Sequence, residues 1–458
     1  MARSLLLLPI TLSLLLLSAY AIGEEQQYSH RRLRDAHQCR IQHLSASRPS
    51  QRIESEGGVT ELWNQNEEQF QCAGVAAMRN IIEPNSLSLP NYSPSPRLVY
   101  IQQGKGLLGM SYPGCAEAYH SSGRPSYQIV RGEQQQQRGE QHQKVHRIRQ
   151  GDIVALPAGV AYWCYNDGDE KLVALSITDL SSQANQLNQM PRSFYLAGGQ
   201  PKQSAGSIHT RGSQDYNAEN ILRAFDANIM AEAFDVSMDT VRKMQREDER
   251  GFIVKADREA MSMIRPDEEE EEYKNGMEEA YCNLRINQYL DNPREADVYS
   301  RQAGRLNSVN MKKLPILRYL EMRDEKGSLY QNSIFAPHWT MNAHTIHYVT
   351  RGRGRVQVVG HDGEKVLDAR VNEGDMFVVP QYFAVMKQAD KNGLEWVSIK
   401  TSALPMRSPL VGSTSAIKGM PIQVLTNSYR ISKSEAQNLK YNRERHVMLL
   451  PPPTTRSS

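Results

Sequence analysis

The sequence predicts a mainly β protein that contains two similar barrels, each followed by a helical arm. Its short apolar runs are separated by Gly, Pro and Asn, as in RLVYIQQGKGLLGMSY (97–112) and DIVALPAGVAYWCY (152–165). Strands of this length with turn signals between them are typical of sandwiches and barrels. The second half of the chain repeats this pattern, and each half ends in a stretch with helical spacing.

Three segments of the first half align with segments of the second half, in the same order along the chain. Gly151 and Asp152 align with Gly374 and Asp375. Such an ordered series of matches indicates an internal duplication. The pairs are PRLVYIQQGKG (96–106) with HTIHYVTRGRG (344–354), RQGDIVALPAG (149–159) with VNEGDMFVVPQY (371–382), and FDVSMDTVRKM (234–244) with YRISKSEAQNL (429–439).

Helical spacing predicts an arm over about 217–249 after the first barrel and one over about 429–442 after the second. Ser237 is the predicted start of a second helix in the first arm, and Ser434 is the predicted cap of the last helix. We interpret the apolar stripe of the first arm as a packing surface within or between subunits. The stripe consists of Ile221, Leu222, Phe225, Ile229, Met230 and Phe234.

Residues 1–23 have the organisation of a secretory signal peptide. Arg3 precedes an apolar run over 5–17, and cleavage after Ala21 or Gly23 fits the small residues there. Because the apolar run is too short to span a bilayer, we expect a secretory route and no membrane partner. Disulfide bonds can form in that compartment.

The chain has five cysteines, and none has CxxC spacing, which excludes zinc-finger and redox motifs. Two disulfides and one free thiol are expected, but the sequence leaves three pairings open for any four cysteines. Cys164 lies in the apolar context WCY, where we expect a buried and inert thiol. The others are Cys39, Cys72, Cys115 and Cys282.

The net charge divides near Gly276. Before it, 29 Lys and Arg oppose 34 Asp and Glu, a balance of −5; from it onward, 25 oppose 17, a balance of +8, and the two sum to +3. The positive residues are scattered and have no interleaved aromatics, so we expect no nucleic-acid partner. We interpret the division as two complementary halves of one molecule.

The segment DEEEEEYKNGMEEAYC (267–282) places Asn275 and Gly276 between an acidic run and Cys282. An Asn-Gly pair can form a hairpin turn, but no expected strands flank this one. Five consecutive Glu cannot pack in a core, so 250–275 is predicted to be an acidic, disordered linker that is open to proteolysis. We therefore predict a processing site at Asn275 and Gly276.

Gly151, Pro157, Gly159 and Asn166 have the spacing G-x5-P-x-G-x2-H-x3-N, which resembles the second motif of the cupin superfamily. The resemblance implies a duplicated cupin, with two jelly-roll β-barrels. Many cupins bind a metal through two His and a Glu of the first motif and the His of the second. At that last position this chain has Tyr162.

The motif has eight ligand positions in the two halves. One of them carries a metal-donor side chain, and the other seven carry unsuitable ones. We therefore expect neither barrel to bind a metal or a cofactor. The positions are Pro90, Tyr92, Arg97 and Tyr162 in the first half, and His338, Thr340, Thr345 and Val385 in the second.

His344 and His347, with His338 nearby, offer a rival zinc site. Residues three apart in a strand face opposite sides, so we interpret these as structural histidines. The sequence has no GxSxG motif, and we interpret Gly104 and Gly106 in GKGLLG (104–109) as hairpin glycines rather than as a nucleotide-binding loop, so we expect no catalytic residue. A metal-dependent bicupin enzyme and a cupin that binds sugars or other ligands are the alternatives.

Nearly the whole chain resembles the legumin-type (11S) seed storage globulins. The matching stretches include QFQCAGVAAMRNIIEPNSLSLPNY, RAFDANIMAEAFDV, SRQAGRLNSVN and, most specifically, NGMEEAYC around the predicted processing site. The resemblance implies a seed storage protein, a nutrient reservoir that is not an enzyme. It implies cleavage after Asn275 by a vacuolar asparaginyl endopeptidase, into an acidic chain of about 24–275 and a basic chain of 276–458.

The same resemblance implies the disulfides Cys39–Cys72 and Cys115–Cys282, which leaves Cys164 as the free thiol. It also implies homo-trimers as precursor in the endoplasmic reticulum, and hexamers after cleavage in the protein storage vacuoles of seeds. Proteins of this family are frequent seed allergens.

Overall fold

The computed structural model is mainly β and forms two barrels, as the sequence predicts. The predicted signal peptide at 1–23 and the Asn275–Gly276 pair lie outside the described residues. The structure describes residues 39, 41–113, 115, 119–120, 141–142, 145–199, 219–246, 249–262, 264, 282 and 284–452.

The N-terminal barrel is built from two antiparallel sheets. Its strands are β1 (Gln51–Ser55), β2 (Gly58–Leu62), β3 (Val75–Ile82), β4 (Ser86–Tyr92), β5 (Arg97–Gln103), β6 (Lys105–Ser111), β7 (Tyr119–His120), β8 (Gln141–His142), β9 (Val145–Arg149), β10 (Asp152–Leu156), β11 (Ala161–Asn166), β12 (Leu172–Asp179), β13 (Phe194–Tyr195), β14 (Ile253–Lys255) and β15 (Asn287–Tyr289). One sheet has the order β1-β2-β3-β12-β5-β10-β15, and the other has the order β13-β4-β11-β6-β9, with β14 also paired to β4. The short strands β7 and β8 pair with each other.

The C-terminal barrel repeats the arrangement with longer strands that bend across both of its faces. They are β16 (Val298–Ser300), β17 (Gly304–Val309), β18 (Arg323–Leu329), β19 (Ile334–Thr340), β20 (Thr345–Val359), β21 (Lys365–Asn372), β22 (Met376–Val379), β23 (Ala384–Lys400), β24 (Arg407–Pro409) and β25 (Leu449–Leu450). The order is β16-β17-β18-β23-β19-β24; β20 pairs with β21, β22 and β23, and β25 pairs with β19.

Helices are short and lie between or after the strands. They are α1 (Glu68–Ala73), α2 (Ala227–Phe234), α3 (Met238–Gln245), α4 (Arg258–Met261), α5 (Leu317–Leu320), α6 (Ala416–Gly419), α7 (Ile422–Tyr429) and α8 (Lys433–Tyr441), with 3₁₀ turns at Ile221–Ala224 and Pro293–Glu295. In the described part of the chain, no helix has the length and apolar character that a membrane crossing requires.

Matching glycines support the predicted duplication. Gly104 and Gly352 hold the same position of the repeat and have φ of +82° and +77°, while Gly151 and Gly374 both have φ of +88°. These left-handed conformations favour glycine. At Gly104 a Cβ atom would also come within 2.5 Å of the carbonyl oxygen of Lys171. The two halves therefore share turn geometry as well as sequence.

The helical arms agree with the sequence in part. Ser237 caps α3 as predicted, because its side chain accepts from the N–H of Thr240. The cap predicted at Ser434 is wrong: Ser432 caps α8, and Glu435 completes a capping box with it. The arm predicted at 429–442 also begins too late, since α7 precedes it. The segment IQVLTNSY contains the β-branched residues Ile, Val and Thr, which lower helix propensity and weaken the helical signal there.

The predicted disordered linker at 250–275 is wrong over its first part. Residues 252–254 are buried, and β14 pairs with β4 through Ile253 opposite Ser88. The apolar run GFIVK is too short to show a period, but it covers an edge of the barrel. Helix α4 follows it at Arg258–Met261.

The barrels exchange their flanking segments. Before β1, the N–H of Leu44 donates to the carbonyl of Val366 at 2.8 Å, and Ser47 pairs with Met376, so residues 41–48 lie on the C-terminal barrel. In the other direction, β15 extends the sheet of the N-terminal barrel, with Ile153 opposite Gln288. A core shared by both barrels lies between them and includes Leu98, Ile153, Ile286, Ile346 and Ile399.

Candidate functional site

A guanidinium and a phenol occupy the metal-ligand positions inside the N-terminal barrel. Arg97 on β5 holds the position of the motif Glu, and Tyr162 on β11 that of the motif His. Arg97 is buried; its Nη1 donates to the Tyr162 hydroxyl at 2.6 Å and its Nη2 to Ser193 Oγ at 2.8 Å. The motif positions therefore do converge, but a buried guanidinium repels a divalent cation. These residues do not fit a metal.

The corresponding positions of the C-terminal barrel also converge. His338 on β19 lies opposite Val385 on β23, and its Nδ1 is 2.8 Å from the carbonyl oxygen of Ala336. Burial, with the charges of Arg407 and Lys387, lowers the pKa of His338 well below its usual value. Among the described residues, no group of three His, Cys, Asp or Glu side chains could hold a metal ion.

The rival histidine pair has separate structural contacts. His344 precedes β20, and its Nδ1 accepts from the N–H of Gln381 at 3.3 Å. His347 is buried within the barrel and stacks on Phe377 with ring centroids 4.9 Å apart. Burial, together with the charge of Lys387, lowers the pKa of His347, so its imidazole is neutral. These contacts agree with structural roles.

A buried charged cluster of the C-terminal barrel was missed by the sequence analysis. Glu325 Oε2 accepts from Lys400 Nζ at 2.9 Å and from Arg407 Nη2 at 2.5 Å, and Lys387 lies beside them. Charged residues are expected at the surface, so the sequence suggested solvent exposure. The run AVMKQA held a signal: Lys387 has the strand parity of Val385, an apolar residue on the inward face.

The structure joins Cys39 to Cys72 and Cys115 to Cys282, with Cα atoms 4.6 Å and 5.6 Å apart. These are the pairings that the resemblance implies. Cys164 is free and buried, and burial raises the pKa of its thiol to about 12. The thiol is therefore protonated at neutral pH and poorly nucleophilic.

Both sides of the predicted processing site lie on the N-terminal barrel. Upstream, β14 belongs to one sheet of that barrel; downstream, Cys282 is bonded to Cys115 and β15 belongs to the other sheet. Ile253 and Ile286, one from each side, are both buried in the shared core. The predicted chain boundary at Asn275 therefore does not coincide with the boundary between barrels.

Comparison with known proteins places the chain in a family. It matches the cupin family over residues 44–202 and 288–437. It is 52% identical over 464 residues to "11S globulin seed storage protein 2" of Sesamum indicum, across 98% of this chain and 99% of the relative. The chain belongs to the 11S seed storage globulins, within the cupin family.

Solved 11S structures have the same fold as this globulin. The crystal structure of the coconut allergen cocosin superposes with a TM-score of 0.78 at 42% identity, over 90% of this chain and 100% of that one. Recombinant pro-11S globulin of pumpkin gives a TM-score of 0.79 at 38% identity, over 91% and 100%. The predicted duplicated cupin fold is therefore confirmed.

The helical arms of this globulin expose apolar side chains. Of the predicted stripe, Met230 is buried, whereas Phe225 and Ile229 are 60% and 67% exposed. In the second arm, Tyr429 and Leu439 are 55% and 54% exposed. Large apolar side chains grouped on an arm are typical of surfaces that a partner covers. The structure thus favours packing between subunits over packing within one.

The segment exchange predicts that the disulfide Cys115–Cys282 is dispensable for holding cleaved chains together. After cleavage at Asn275, residues 41–48 would still lie on the C-terminal barrel and β15 on the N-terminal barrel. We expect cleaved protein, reduced under native conditions, to elute from a sizing column as one species that contains both chains. Elution of two separate chains would contradict the exchange.

As a control, the same reduced sample in 6 M guanidinium, about the strength that unfolds even hyperstable domains, should separate into its two chains. The matched variant Cys282→Ser, cleaved and left unreduced, should behave as the reduced wild type does.

Proposed function

We propose that this globulin is a nutrient reservoir that is synthesised as a precursor and cut after Asn275. The products are an acidic chain of about 24–275 and a basic chain of 276–458, joined by Cys115–Cys282. The observation that carries the proposal is the anchoring of both flanks. Since each side of the segment around Asn275 is held by strand pairing in the N-terminal barrel, a cut there leaves both cores intact.

Storage without catalysis is supported by the barrel interiors. The Arg97–Tyr162 hydrogen bond and the pairing of His338 with Val385 fill the positions at which metal-binding cupins hold their ion. A metal-dependent bicupin enzyme would need a donor set that these residues do not supply. The relatives are named as storage globulins, and the many Gln, Asn and Arg residues carry side-chain nitrogen that suits a reserve.

The proposed route is secretory. The signal peptide at 1–23 would direct the precursor to the endoplasmic reticulum, with a protein storage vacuole as destination. A vacuolar asparaginyl endopeptidase would then cut at Asn275–Gly276. The relative solved as a pro-11S globulin supports the existence of a precursor form in this family.

Homo-oligomeric assembly is supported by the exposed arms. Phe225 and Ile229 of the first arm could pack against Tyr429 and Leu439 of a neighbouring copy, which closes a ring of three subunits. Burying four such side chains would contribute about 1.5–3 kcal/mol each. We propose that cleavage then frees the acidic segment, so that two trimers stack as a hexamer.

Replacing Asn275 by Ala tests the processing step. The variant should fold and form trimers, because the substitution leaves every described residue of both barrels unchanged, but the endopeptidase should not cut it. Sedimentation velocity of purified precursor treated with the protease should show hexamers for the wild type and trimers for Asn275→Ala.

Lys274→Ala is the matched control, since it changes the neighbouring residue and keeps Asn275. It should be cut and should form hexamers. If Asn275→Ala formed hexamers as readily as the control, cleavage would not govern assembly.

A further inference from the structure

The duplication allows one outer face of the two barrels to be compared position by position. In the N-terminal barrel this face is formed by β6 and β9, and Leu107 lies there in a small buried core against which Ile264 packs. In the C-terminal barrel the same face is formed by β20 and β21. Since Gly104 corresponds to Gly352, Leu107 corresponds to Arg355, which is exposed. A covered apolar surface of the first barrel is therefore an open, charged surface in the second.

Three arginines are neighbours on this outer face. Arg353 and Arg355 are two residues apart on β20 and leave the same side of the strand, whereas Val356 points into the core. Arg370 on β21 lies directly opposite Arg355. Opposite positions place Cβ atoms about 4.5–5.5 Å apart, and positions two apart on a strand about 6.5–7 Å apart. All three side chains are exposed, so their guanidinium groups can reach one ligand.

The positive charge of this face is only partly compensated. Asp368 accepts from Arg355 Nε and Nη2, each at 2.8 Å, and from Lys365 Nζ at 2.9 Å. Among the described residues, Arg353 and Arg370 form no ion pair. Four positive charges and one negative charge leave the group at +3. Because like charges directly opposite each other on paired strands are destabilising, an anion bound between Arg355 and Arg370 would stabilise the pair.

The equivalent cation of the N-terminal barrel is neutralised within the chain. Arg147 on β9 holds the position of Arg370, and its Nη1 lies 3.0 Å from the Asp167 carboxylate. Charged side chains on an edge strand also hinder pairing with other sheets, and β21 is such a strand. That role does not account for Arg353 and Arg355, because β20 pairs with a strand on each side. An anion site accounts for the arginines of both strands.

We propose that the outer face of β20 and β21 binds a small anion that carries several phosphate groups. A guanidinium group donates two parallel N–H bonds to a phosphate, and Arg353 and Arg370 are exposed for such contacts. Arg355 keeps three of its five N–H donors after its two bonds to Asp368, which also fixes its orientation. Several guanidinium groups at one site favour a ligand with several phosphates, because each further contact forms within the same complex.

The surroundings of the arginines favour a small ligand over a nucleic acid. The neighbouring outward positions are Gln357 on β20, Asn372 on β21 and Gln388 on β23. These side chains offer amide hydrogen bonds but no ring on which a base could stack, and stacking is a main source of affinity for single strands. The site does not depend on the storage role or on cleavage at Asn275.

Calorimetric titration of the full-length protein with sodium tripolyphosphate at neutral pH tests the site. The buffer should contain sodium chloride at about 0.15 M, where the Debye length of about 8 Å screens attraction between distant charges. We expect one saturable tripolyphosphate per chain. Orthophosphate should bind at least about tenfold more weakly, because it contacts fewer guanidinium groups at once.

Arg353→Gln and Arg370→Gln should each weaken tripolyphosphate binding about tenfold or more, because a hydrogen bond between charged groups is lost. Both residues are exposed and form no ion pair with a described residue, so both variants should melt near the wild-type temperature. Arg301→Gln is the matched control. It removes the same charge from an exposed position between β16 and β17, and it should bind as the wild type does.

Equal affinity of the wild type, Arg353→Gln and Arg370→Gln would overturn the proposal, as would the absence of saturable tripolyphosphate binding to the wild type. An equal loss in Arg301→Gln would show that net charge alone attracts the ligand. Orthophosphate or sulfate that binds as tightly as tripolyphosphate would refute the requirement for several phosphates. A thymidine oligonucleotide that binds more tightly, and loses affinity in the same two variants, would assign the face to nucleic acid instead.

Discussion

Replacing Glu325 by Gln should destabilise the protein by about 3–5 kcal/mol at pH 7, as expected when a buried ion pair loses one partner. The neutral amide would leave Lys400 and Arg407 facing each other in the barrel without the carboxylate that both contact. Lys400 is buried, so its charge cannot be screened by water. Chemical denaturation followed by circular dichroism measures the loss.

The destabilisation caused by Glu325→Gln should become smaller as the pH falls. Burial alone would raise the pKa of Glu325, but the charges of Arg407 and Lys400 outweigh it and hold that pKa below its ordinary value. A lowered carboxyl pKa stabilises the fold above the unfolded-state pKa, and this contribution is lost as the pH falls. The difference between wild type and Glu325→Gln should therefore shrink below about pH 4.5.

Asp368→Asn is the matched control for Glu325→Gln. Asp368 also has two basic partners, Arg355 at 2.8 Å and Lys365 at 2.9 Å, but it lies at the surface. Exposed ion pairs contribute little, so this variant should unfold almost as the wild type does. Equal losses for both acids would show that burial does not set the energetics of the Glu325 cluster.

The features that were predicted correctly from the sequence are those that depend on local patterns of residues. The alignment of Gly151 with Gly374 predicted the duplication, and both glycines have the same φ of +88° in the structure. The motif spacing placed Arg97 and Tyr162 at ligand positions, and their side chains do meet. Such signals repeat or follow fixed spacing, so they can be found without knowledge of distant contacts.

Contacts between distant parts of the chain were not predictable in the same way. Residues 41–48 read as polar and irregular, yet Leu44 packs in the core of the other barrel. The run at 252–254 has three apolar residues in an acidic neighbourhood, and its burial depends on β4, more than 160 residues earlier in the chain. The cluster around Lys387 escaped because lysine is rarely buried, and its neighbours Glu325 and Arg407 come from other strands.

Asp324→Asn should gain stability relative to the wild type as the pH rises from 4 to 8. Asp324 is fully buried between the barrels, next in sequence to Glu325 but on the opposite face of β18. Its carboxyl has no hydrogen-bond partner on another described residue. Burial raises its pKa from 3.8 to about 7, although Arg323 and Lys400 oppose the shift.

The direction of this pH dependence follows from proton binding by the Asp324 carboxyl group. A raised carboxyl pKa means that the folded state holds the proton more tightly, so the fold is destabilised as the pH rises from about 3.8 to about 7. A shift of that size corresponds to about 4 kcal/mol once the group is ionised in both states. Asparagine cannot ionise, so the free energy of unfolding of the variant should not show this decline with pH. Any change in that free energy that the amide itself causes should be the same at every pH.

Denaturant unfolding of wild type and Asp324→Asn between pH 4 and pH 8 measures the difference, and its slope with pH is the informative quantity. Asp169→Asn, which changes an exposed aspartate, should keep the wild-type profile. Parallel profiles for wild type and Asp324→Asn would mean that Asp324 stays ionised or meets water in the fold. If the decline is present in the wild type and absent in Asp324→Asn, ionisation of Asp324 lowers the stability of the fold as the pH rises towards 7.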